Sequence, residues 1–271
     1  MSGTLDARRG EAEPHGQPRR RVVLLGASNL TKAIGPLVGA AKSAWSEPVD
    51  VLVALGHGRS FGTSSRVLGR RLPGIAECGL WRDLAAGGPG KTAALVTDIG
   101  NDLMYEQPVE RIAGWVETCL DRLAEVGADT VVTLLPVDNL PKLSPARFLF
   151  FRTLFVPTCR AGLEEMVARA YEVDRHVERL ARERGFAVVR QKAEWYGLDP
   201  IHIRLFKRSG AWSEILGHWP DCEALRVPSS TPLQTLYLRT RTPEWRSLLG
   251  FEQRGRKPSA LLADGSSVTI Y

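Results

Sequence analysis

The sequence has few cysteines and no long apolar run. Its four cysteines, Cys78, Cys119, Cys159 and Cys222, are scattered through 271 residues without a C-x-x-C pair or a neighbouring histidine cluster. This argues against a disulfide framework or a metal site and favours reduced thiols. No apolar stretch approaches the roughly 18 residues that a membrane span requires. We therefore expect no metal, no cofactor and no stable membrane insertion.

The sequence also lacks a folded segment with a strong excess of one charge. The net charge is +6. Residues 1–21 carry five basic and three acidic residues, 203–271 carry ten and six, and 22–202 carry 21 of each. Nucleic-acid binding requires lysine and arginine clustered on a folded face. We therefore expect no nucleic-acid partner.

The first 20 residues are rich in glycine, proline and charge and contain no apolar segment of the kind found in a signal peptide. We predict a flexible N-terminal tail over 1–20 and, without an export signal, a cytoplasmic location. One α/β domain is predicted over 21–220. A C-terminal arm over 221–271, interrupted by prolines and with a short strand at 266–271, is expected to pack on that domain.

Short apolar segments rich in β-branched residues alternate with amphipathic ones along the domain. Strands are predicted at 21–26, 49–55, 92–97, 130–135 and 186–189, the last of these being the final strand of the core. Helices are predicted at 29–45, 63–71, 109–126 and 164–184. This alternation predicts a three-layer α/β/α sandwich with a parallel sheet.

Ligands of open parallel sheets bind beyond the carboxyl ends of the strands. The first strand runs into Gly26-Ala27-Ser28-Asn29-Leu30, so Ser28 lies at a strand-to-helix turn. Serine at this position is most often a helix N-cap, and the alternative is a nucleophile. The third strand leads into Gly100-Asn101-Asp102, where Asn101 either forms a turn or presents its amide at the same sheet edge.

An aspartate and a histidine follow the strand predicted at 186–189. In Asp199-Pro200-Ile201-His202, the spacing of three residues brings Asp199 and His202 onto one face of a helical turn. A carboxylate beside an imidazole fixes its tautomer and stabilises the imidazolium, as a general base requires. A D-x-x-H pattern by itself is weak evidence for catalysis, but here it occurs together with Ser28 and Asn101.

Taken together, these blocks resemble the SGNH (GDSL-type) hydrolase family of serine esterases and lipases, over roughly 21–205. The resemblance implies a flavodoxin-like sandwich in which Ser28 is the nucleophile, His202 the base and Asp199 the residue that orients it. It also implies an oxyanion hole formed by the Ser28 N–H, Asn101 and a glycine. That glycine is Gly62, which precedes the helix predicted at 63–71, or alternatively Gly58.

The first block departs from the family pattern, because Ala27 replaces the usual aspartate. Since that aspartate is not an attacking group, we expect the chemistry to survive with different local hydrogen bonds. The expected reaction is hydrolysis of a small-molecule acyl ester through an acyl-enzyme. An O-acyltransferase, a carbohydrate deacetylase and a non-catalytic binding protein remain alternatives.

Three other segments invite functional interpretations. The phenylalanine-rich stretch over 145–157 is either a flap that binds an acyl or aryl group or an ordinary packing helix. The glycine-rich segment 87–90 resembles the end of a phosphate-binding loop. Such a loop is followed by a helix, however, and this segment is followed by a predicted strand. His57 is the next candidate base if His202 is not, although no carboxylate neighbours it in the sequence.

Overall fold

A computed structural model describes residues 19–45, 47–88, 90–222, 224–228 and 231–271. The tail predicted over 1–20 lies outside these residues, apart from Arg19 and Arg20. Within the described ranges, no helix is both long and apolar enough to cross a bilayer.

Strands and helices alternate along most of the chain. The strands are β1 (Arg20–Leu25), β2 (Val49–Ala54), β3 (Ser65–Val67), β4 (Arg70–Leu72), β5 (Thr92–Val96), β6 (Asp129–Thr133), β7 (Ala187–Val189), β8 (Arg246–Leu248), β9 (Phe251–Gln253), β10 (Ala260–Leu261) and β11 (Ser267–Ile270). The α-helices are α1 (Ser28–Trp45), α2 (Leu80–Ala86), α3 (Asn101–Met104), α4 (Val109–Glu125), α5 (Pro145–Phe155), α6 (Leu163–Glu183), α7 (Arg208–Leu216) and α8 (Pro232–Arg239).

Seven strands form the central sheet in the order β10-β11-β2-β1-β5-β6-β7. All neighbouring pairs are parallel except β10 with β11 at one edge. The central strand β1 is apolar and buried from Val22 to Leu25, as a strand covered on both faces must be.

Two hydrophobic cores lie on opposite faces of this sheet, because successive side chains of a strand point to opposite sides. Val23 and Leu25 join the core that contains the buried faces of α2, α4 and α6. Val22 and Leu24 join the core that contains α1, α7 and Leu238 of α8. This arrangement confirms the predicted α/β sandwich with a mostly parallel sheet.

The helix predicted over 63–71 is wrong. This segment forms the antiparallel hairpin β3–β4, which belongs to a second sheet with the order β3-β4-β8-β9. The turn uses Leu68 and Gly69, both with positive φ, which a helix cannot accommodate. Pairing with the distant strand β8 decides the conformation, and sequence periodicity over nine residues does not report such a partner.

The segment over 221–271 supplies structure to both sheets and to one helical layer. Its strand β8 pairs with β4, its helix α8 packs on α1, and its strand β11 pairs in parallel with β2. The prediction that 186–189 is the last core strand is therefore wrong. Val268 and Ile270 of β11 are buried in the core beside β2.

We expect Val268→Ala to lower the free energy of unfolding by about 2 kcal/mol, because it removes buried methyl groups and leaves a cavity. Val268 is fully buried, whereas Leu261 on the adjacent strand β10 is 68% exposed. Leu261→Ala is therefore the control, and its effect should be under about 0.5 kcal/mol. Urea unfolding of both variants measures the difference, and equal effects would contradict the placement of β11 in the core.

Candidate active site

Ser28 begins helix α1, directly after the turn that leaves β1. A Cβ atom on Gly26 would lie 2.7 Å from Cγ2 of Thr97 and 3.1 Å from the Leu30 side chain. Glycine is therefore required for the close approach of this turn to the neighbouring strand and to α1. The turn leaves Ser28 partly exposed at the carboxyl end of the sheet.

The N-terminus of α1 is capped by Asp98 and not by Ser28. One carboxylate oxygen of Asp98, Oδ2, accepts hydrogen bonds from the backbone N–H groups of Ala27, Asn29 and Leu30 at 2.9, 2.9 and 3.1 Å. The N-cap interpretation of Ser28 is therefore wrong. Among the described residues, the Ser28 N–H has no hydrogen-bond partner within this turn.

Asp98 reaches the helix from the loop that follows β5, the strand beside β1. Its backbone has φ +60, a left-handed conformation that non-glycine residues adopt rarely and aspartate more readily than most. The turn itself has Ala27, whose side chain cannot accept a hydrogen bond. The carboxylate of Asp98, which follows a neighbouring strand, supplies the acceptor instead. A negative charge at this position also interacts favourably with the helix dipole.

His202 joins Ser28 to Asp199. Its Nε2 lies 2.9 Å from Oγ of Ser28, and its Nδ1 lies 2.6 Å from Oδ2 of Asp199. A carboxylate only accepts, so Nδ1 carries the proton and Nε2 is left to accept from the serine hydroxyl. The His202 side chain is 13% exposed and that of Asp199 34%.

Asp199 is held in its ionised form. Burial by itself raises the pKa of this carboxyl group, but the hydrogen bond and charge of His202 and the N–H groups of Ile201 and His202 outweigh it. The net effect is a lowered pKa. The two backbone N–H groups donate to Oδ1 at 3.0 and 3.2 Å, which leaves Oδ2 for the imidazole.

Asn29 fastens the loop of His202 to the helix of Ser28. Its amide nitrogen donates to the carbonyl of Ile201 at 2.9 Å, and its amide oxygen accepts from the N–H of Ile203 at 3.0 Å. The same nitrogen donates to Oδ1 of Asp98 at 2.8 Å, which fixes the orientation of the amide. The residues on both sides of His202 are thereby tied to the residue after Ser28.

Asn101, the first residue of α3, follows β5, and Gly58 lies in the loop after β2; these two strands are the neighbours of β1. The side chain of Asn101 donates one N–H to the carbonyl of Arg59 at 3.0 Å and has a second N–H available. Gly58 has φ +63, and its carbonyl accepts from the Tyr105 hydroxyl. Among the described residues, nothing accepts from the Gly58 N–H.

Gly62 occupies a different environment from the one expected for it. It is buried, and its N–H donates to Oγ of Ser60 at 3.0 Å, so this donor is already in use. Ser60 in turn donates to the buried carboxyl group of Asp102. A Cβ on Gly62 would collide with Trp115 at 1.7 Å. The geometry therefore favours Gly58 over Gly62 as an available donor. The choice of Gly62 rested on the helix predicted over 63–71, which is a hairpin in the structure.

The phenylalanine-rich stretch forms α5, and one of its residues contacts the histidine. The ring of Phe155 stands edge-on to that of His202, with centroids 5.4 Å apart, and stacks on Phe151 at 5.8 Å. Phe150 is 61% exposed on the same helix. An apolar wall therefore borders the imidazole on one side.

His57 takes a position that does not match a general base. Its Nε2 lies 3.4 Å from a guanidinium nitrogen of Arg239. Burial lowers its pKa to about 4, assisted by the charges of Arg239, Arg70, Lys32 and His202. Within the described ranges His57 forms no hydrogen bond to Ser28 or to a carboxylate.

No group of three or more His, Cys, Asp or Glu side chains in these ranges could hold a metal ion.

Asp98 and Asn29 are not among the site residues predicted from the sequence. Asp98 lies in the same loop as Asn101, three residues before it, and Asn29 follows Ser28 directly. The available signal was that neither the turn before α1 nor the first turn of α1 contains an acidic residue, so another acceptor must serve the helix N-terminus. Nothing local identifies which carboxylate it is.

No protein-family model and no curated protein matches the chain. Among solved structures, the psychrotrophic esterase EstA from Pseudoalteromonas sp. is similar, with 13% identity, a TM-score of 0.43, and coverage of 73% of this chain and 95% of that one. Est24, a carbohydrate acetylesterase from Sinorhizobium meliloti, has 13% identity, a TM-score of 0.46, and coverage of 68% and 91%. At such identity the likeness concerns the fold alone.

We expect Asp98→Ala to lower the free energy of unfolding by about 2 kcal/mol, because three backbone donors lose their acceptor at once. Ser28→Ala should change it by less than about 0.5 kcal/mol, since the Ser28 hydroxyl caps nothing. Thermal or urea unfolding of the two variants makes the comparison. A loss in Ser28→Ala as large as that in Asp98→Ala would restore the N-cap interpretation.

Proposed function

We propose that the chain is a serine esterase that cleaves a carboxylic ester through an acyl-enzyme, as a member of the SGNH hydrolase family would. One observation carries the proposal. The imidazole of His202 lies between Oγ of Ser28, at 2.9 Å, and a carboxylate oxygen of Asp199, at 2.6 Å. A nucleophile, a base and a group that orients the base are thus within hydrogen-bond distance of one another.

In the first step, Ser28 attacks the ester carbonyl while Nε2 of His202 takes the hydroxyl proton. The ionised Asp199 accepts a hydrogen bond from the Nδ1–H group of the ring, and its charge stabilises the imidazolium that forms. Collapse of the tetrahedral intermediate breaks the bond to the alcohol, which leaves with the proton returned by Nε2. Water, deprotonated by the same nitrogen, then releases the acid.

Three donors are suited to stabilise the oxyanion. Asp98 accepts from the backbone N–H groups of Ala27, Asn29 and Leu30, which leaves that of Ser28 without an acceptor among the described residues. The Gly58 N–H and the second N–H of Asn101 are also unused there. The loops of Gly58 and Asn101 follow the strands on either side of β1. Preorganised donors of this kind contribute about 3 kcal/mol each in the transition state.

The apolar wall formed by α5 supplies a place for the hydrocarbon part of a substrate. Phe155 already contacts the ring of His202, so a group bound against Phe155 lies next to the reacting atoms. Exclusion of water from this side also strengthens the hydrogen bonds of the imidazole. We propose an acyl or aryl group here.

Ser28→Ala should abolish labelling by a fluorophosphonate probe and reduce ester hydrolysis by at least about 10³-fold, because the nucleophile is removed. His202→Ala should be about as inactive, and the double variant little worse, since the residues act as one unit. Labelling and turnover of a panel of acyl esters measure both. The control is Ser43→Ala, which removes an exposed hydroxyl from the same helix.

The triad proposal is contradicted if the folded Ser28→Ala protein keeps its turnover. It is equally contradicted if the losses in the Ser28 and His202 variants multiply. Product analysis with an added alcohol separates hydrolysis from acyl transfer, because an acyltransferase would give a new ester in place of the free acid.

Asn101→Ala should lower kcat by about 100-fold with a smaller effect on KM, because an oxyanion donor acts mainly on the transition state. Steady-state kinetics separates the two constants. The side chain also donates to the Arg59 carbonyl, so the thermal midpoint must be measured alongside as a control. An effect confined to KM would show that Asn101 positions the substrate and does not stabilise the oxyanion.

A further inference from the structure

Basic side chains from four separate elements gather beside the candidate active site. We name them the basic cluster: Lys32 of α1, Arg70 of β4, Arg208 of α7 and Arg239 of α8. Lys32 follows Ser28 by four residues on one helix, so the two side chains share a face with Cβ atoms about 5–6 Å apart. The basic cluster therefore begins one helical turn from the nucleophile.

His57 connects the cluster to the site. A guanidinium nitrogen of Arg239 lies 3.4 Å from Nε2 of the ring, and one of Arg70 lies 3.4 Å from the His57 carbonyl. His57 directly precedes Gly58, the candidate oxyanion donor. Because its pKa is lowered to about 4, the ring is neutral at neutral pH and offers Nε2 as an acceptor to Arg239.

No carboxylate of the described residues lies within ion-pair distance of the basic cluster. Among the described residues, none of its four members forms an ion pair, although other bases such as Arg184 and Lys257 each contact two carboxylates. Burial lowers the pKa of the Lys32 ammonium. The charges of Asp199 and Asp98 offset part of this shift, and those of Arg208 and Arg239 add to it. Lys32, Arg70 and Arg208 are partly buried and Arg239 is exposed, so like charges are held together at the site, which is unfavourable without a counter-charge.

The two carboxylates whose charges act on Lys32 are already engaged. Asp98 accepts from the N-terminus of α1, and Asp199 accepts from His202 and two backbone N–H groups. Neither is available to pair with the ammonium without leaving the catalytic arrangement. Among the described residues, Asp98 and Asp199 therefore leave the basic cluster without an ion-pair partner.

A small cavity beside Lys32 is lined by hydrogen-bond donors. Its volume is about 50 Å³, and Arg208, Thr231 and Trp212 also line it. The indole nitrogen of Trp212 and the hydroxyl of Thr231 are buried without a hydrogen-bond partner among the described residues. A water molecule needs about 10–15 Å³ of space measured in this way, so the cavity can hold a group of carboxylate size.

We propose that the candidate active site selects an ester that carries an anionic group, a carboxylate or a group of similar size and charge, bound by Lys32 with Arg208 and Arg239 beside it. This inference rests on the proposed esterase function and adds the charge of the substrate. Charge-assisted hydrogen bonds are about twice as strong as neutral ones, so an anion gains more here than an uncharged group. The phenylalanines of α5 then contact the apolar part of the same molecule.

The test compares two esters that differ in charge and little in shape, 4-acetoxybenzoate and 4-acetoxybenzamide. The ratio of their kcat/KM values should fall about tenfold from the unaltered protein to Lys32→Met, because a hydrogen bond between charged groups is lost. The ratio cancels effects on catalysis that both esters share. Lys91→Met is the matched control, since Lys91 is exposed and directly precedes β5, at the end of the sheet opposite to the site.

Calorimetric binding of both compounds to the Ser28→Ala protein gives a readout that needs no turnover. There the benzoate should bind more tightly than the benzamide, and Lys32→Met should remove the difference. Equal ratios in the unaltered and Lys32→Met proteins, or an equal fall in Lys91→Met, would overturn the anion proposal while leaving the esterase intact. If binding is charge-selective but the unaltered protein shows neither turnover nor fluorophosphonate labelling, the esterase proposal alone is overturned.

Discussion

The hydrogen bonds to the carboxylate of Asp98 are the interaction on which the candidate site depends. A helix N-terminus needs acceptors, and a serine at its first residue would ordinarily supply one. Asp98 takes three N–H groups of the turn and also holds the amide of Asn29. The hydroxyl of Ser28 is thereby released for His202.

The topology of the sheet explains how one aspartate can do this. The chain proceeds from β1 to β2 on one side and from β5 through β6 to β7 on the other, so the order of strands reverses between β1 and β5. Loops at such a switch point diverge and leave a crevice at the carboxyl ends of the strands. Ser28 follows β1, and Asp98 and Asn101 follow β5. The capping residue and the proposed nucleophile and oxyanion donor therefore lie at one edge of the sheet.

The charge distribution also depends on the fold. From the sequence alone, the basic excess of residues 203–271 is typical of a solvated surface. In the structure, α7 and α8 both pack on α1, so Arg208 and Arg239 lie beside the helix of Ser28. Lys32 and Arg70 come from the middle segment, whose net charge is zero. A local excess of charge thus forms from segments whose separate compositions do not reveal it.

The sequence alone determined the parallel core, because strands buried on both faces and amphipathic helices leave periodic patterns. It also determined that Asp199 and His202 lie together, since three residues of one turn fix their separation. The contact of His202 with Ser28, which lies 174 residues away, the capping by Asp98 and the pairing of β4 with β8 were decided by tertiary structure. These depend on which strands become neighbours. Strand order is set by packing of the whole chain, and no local spacing encodes it.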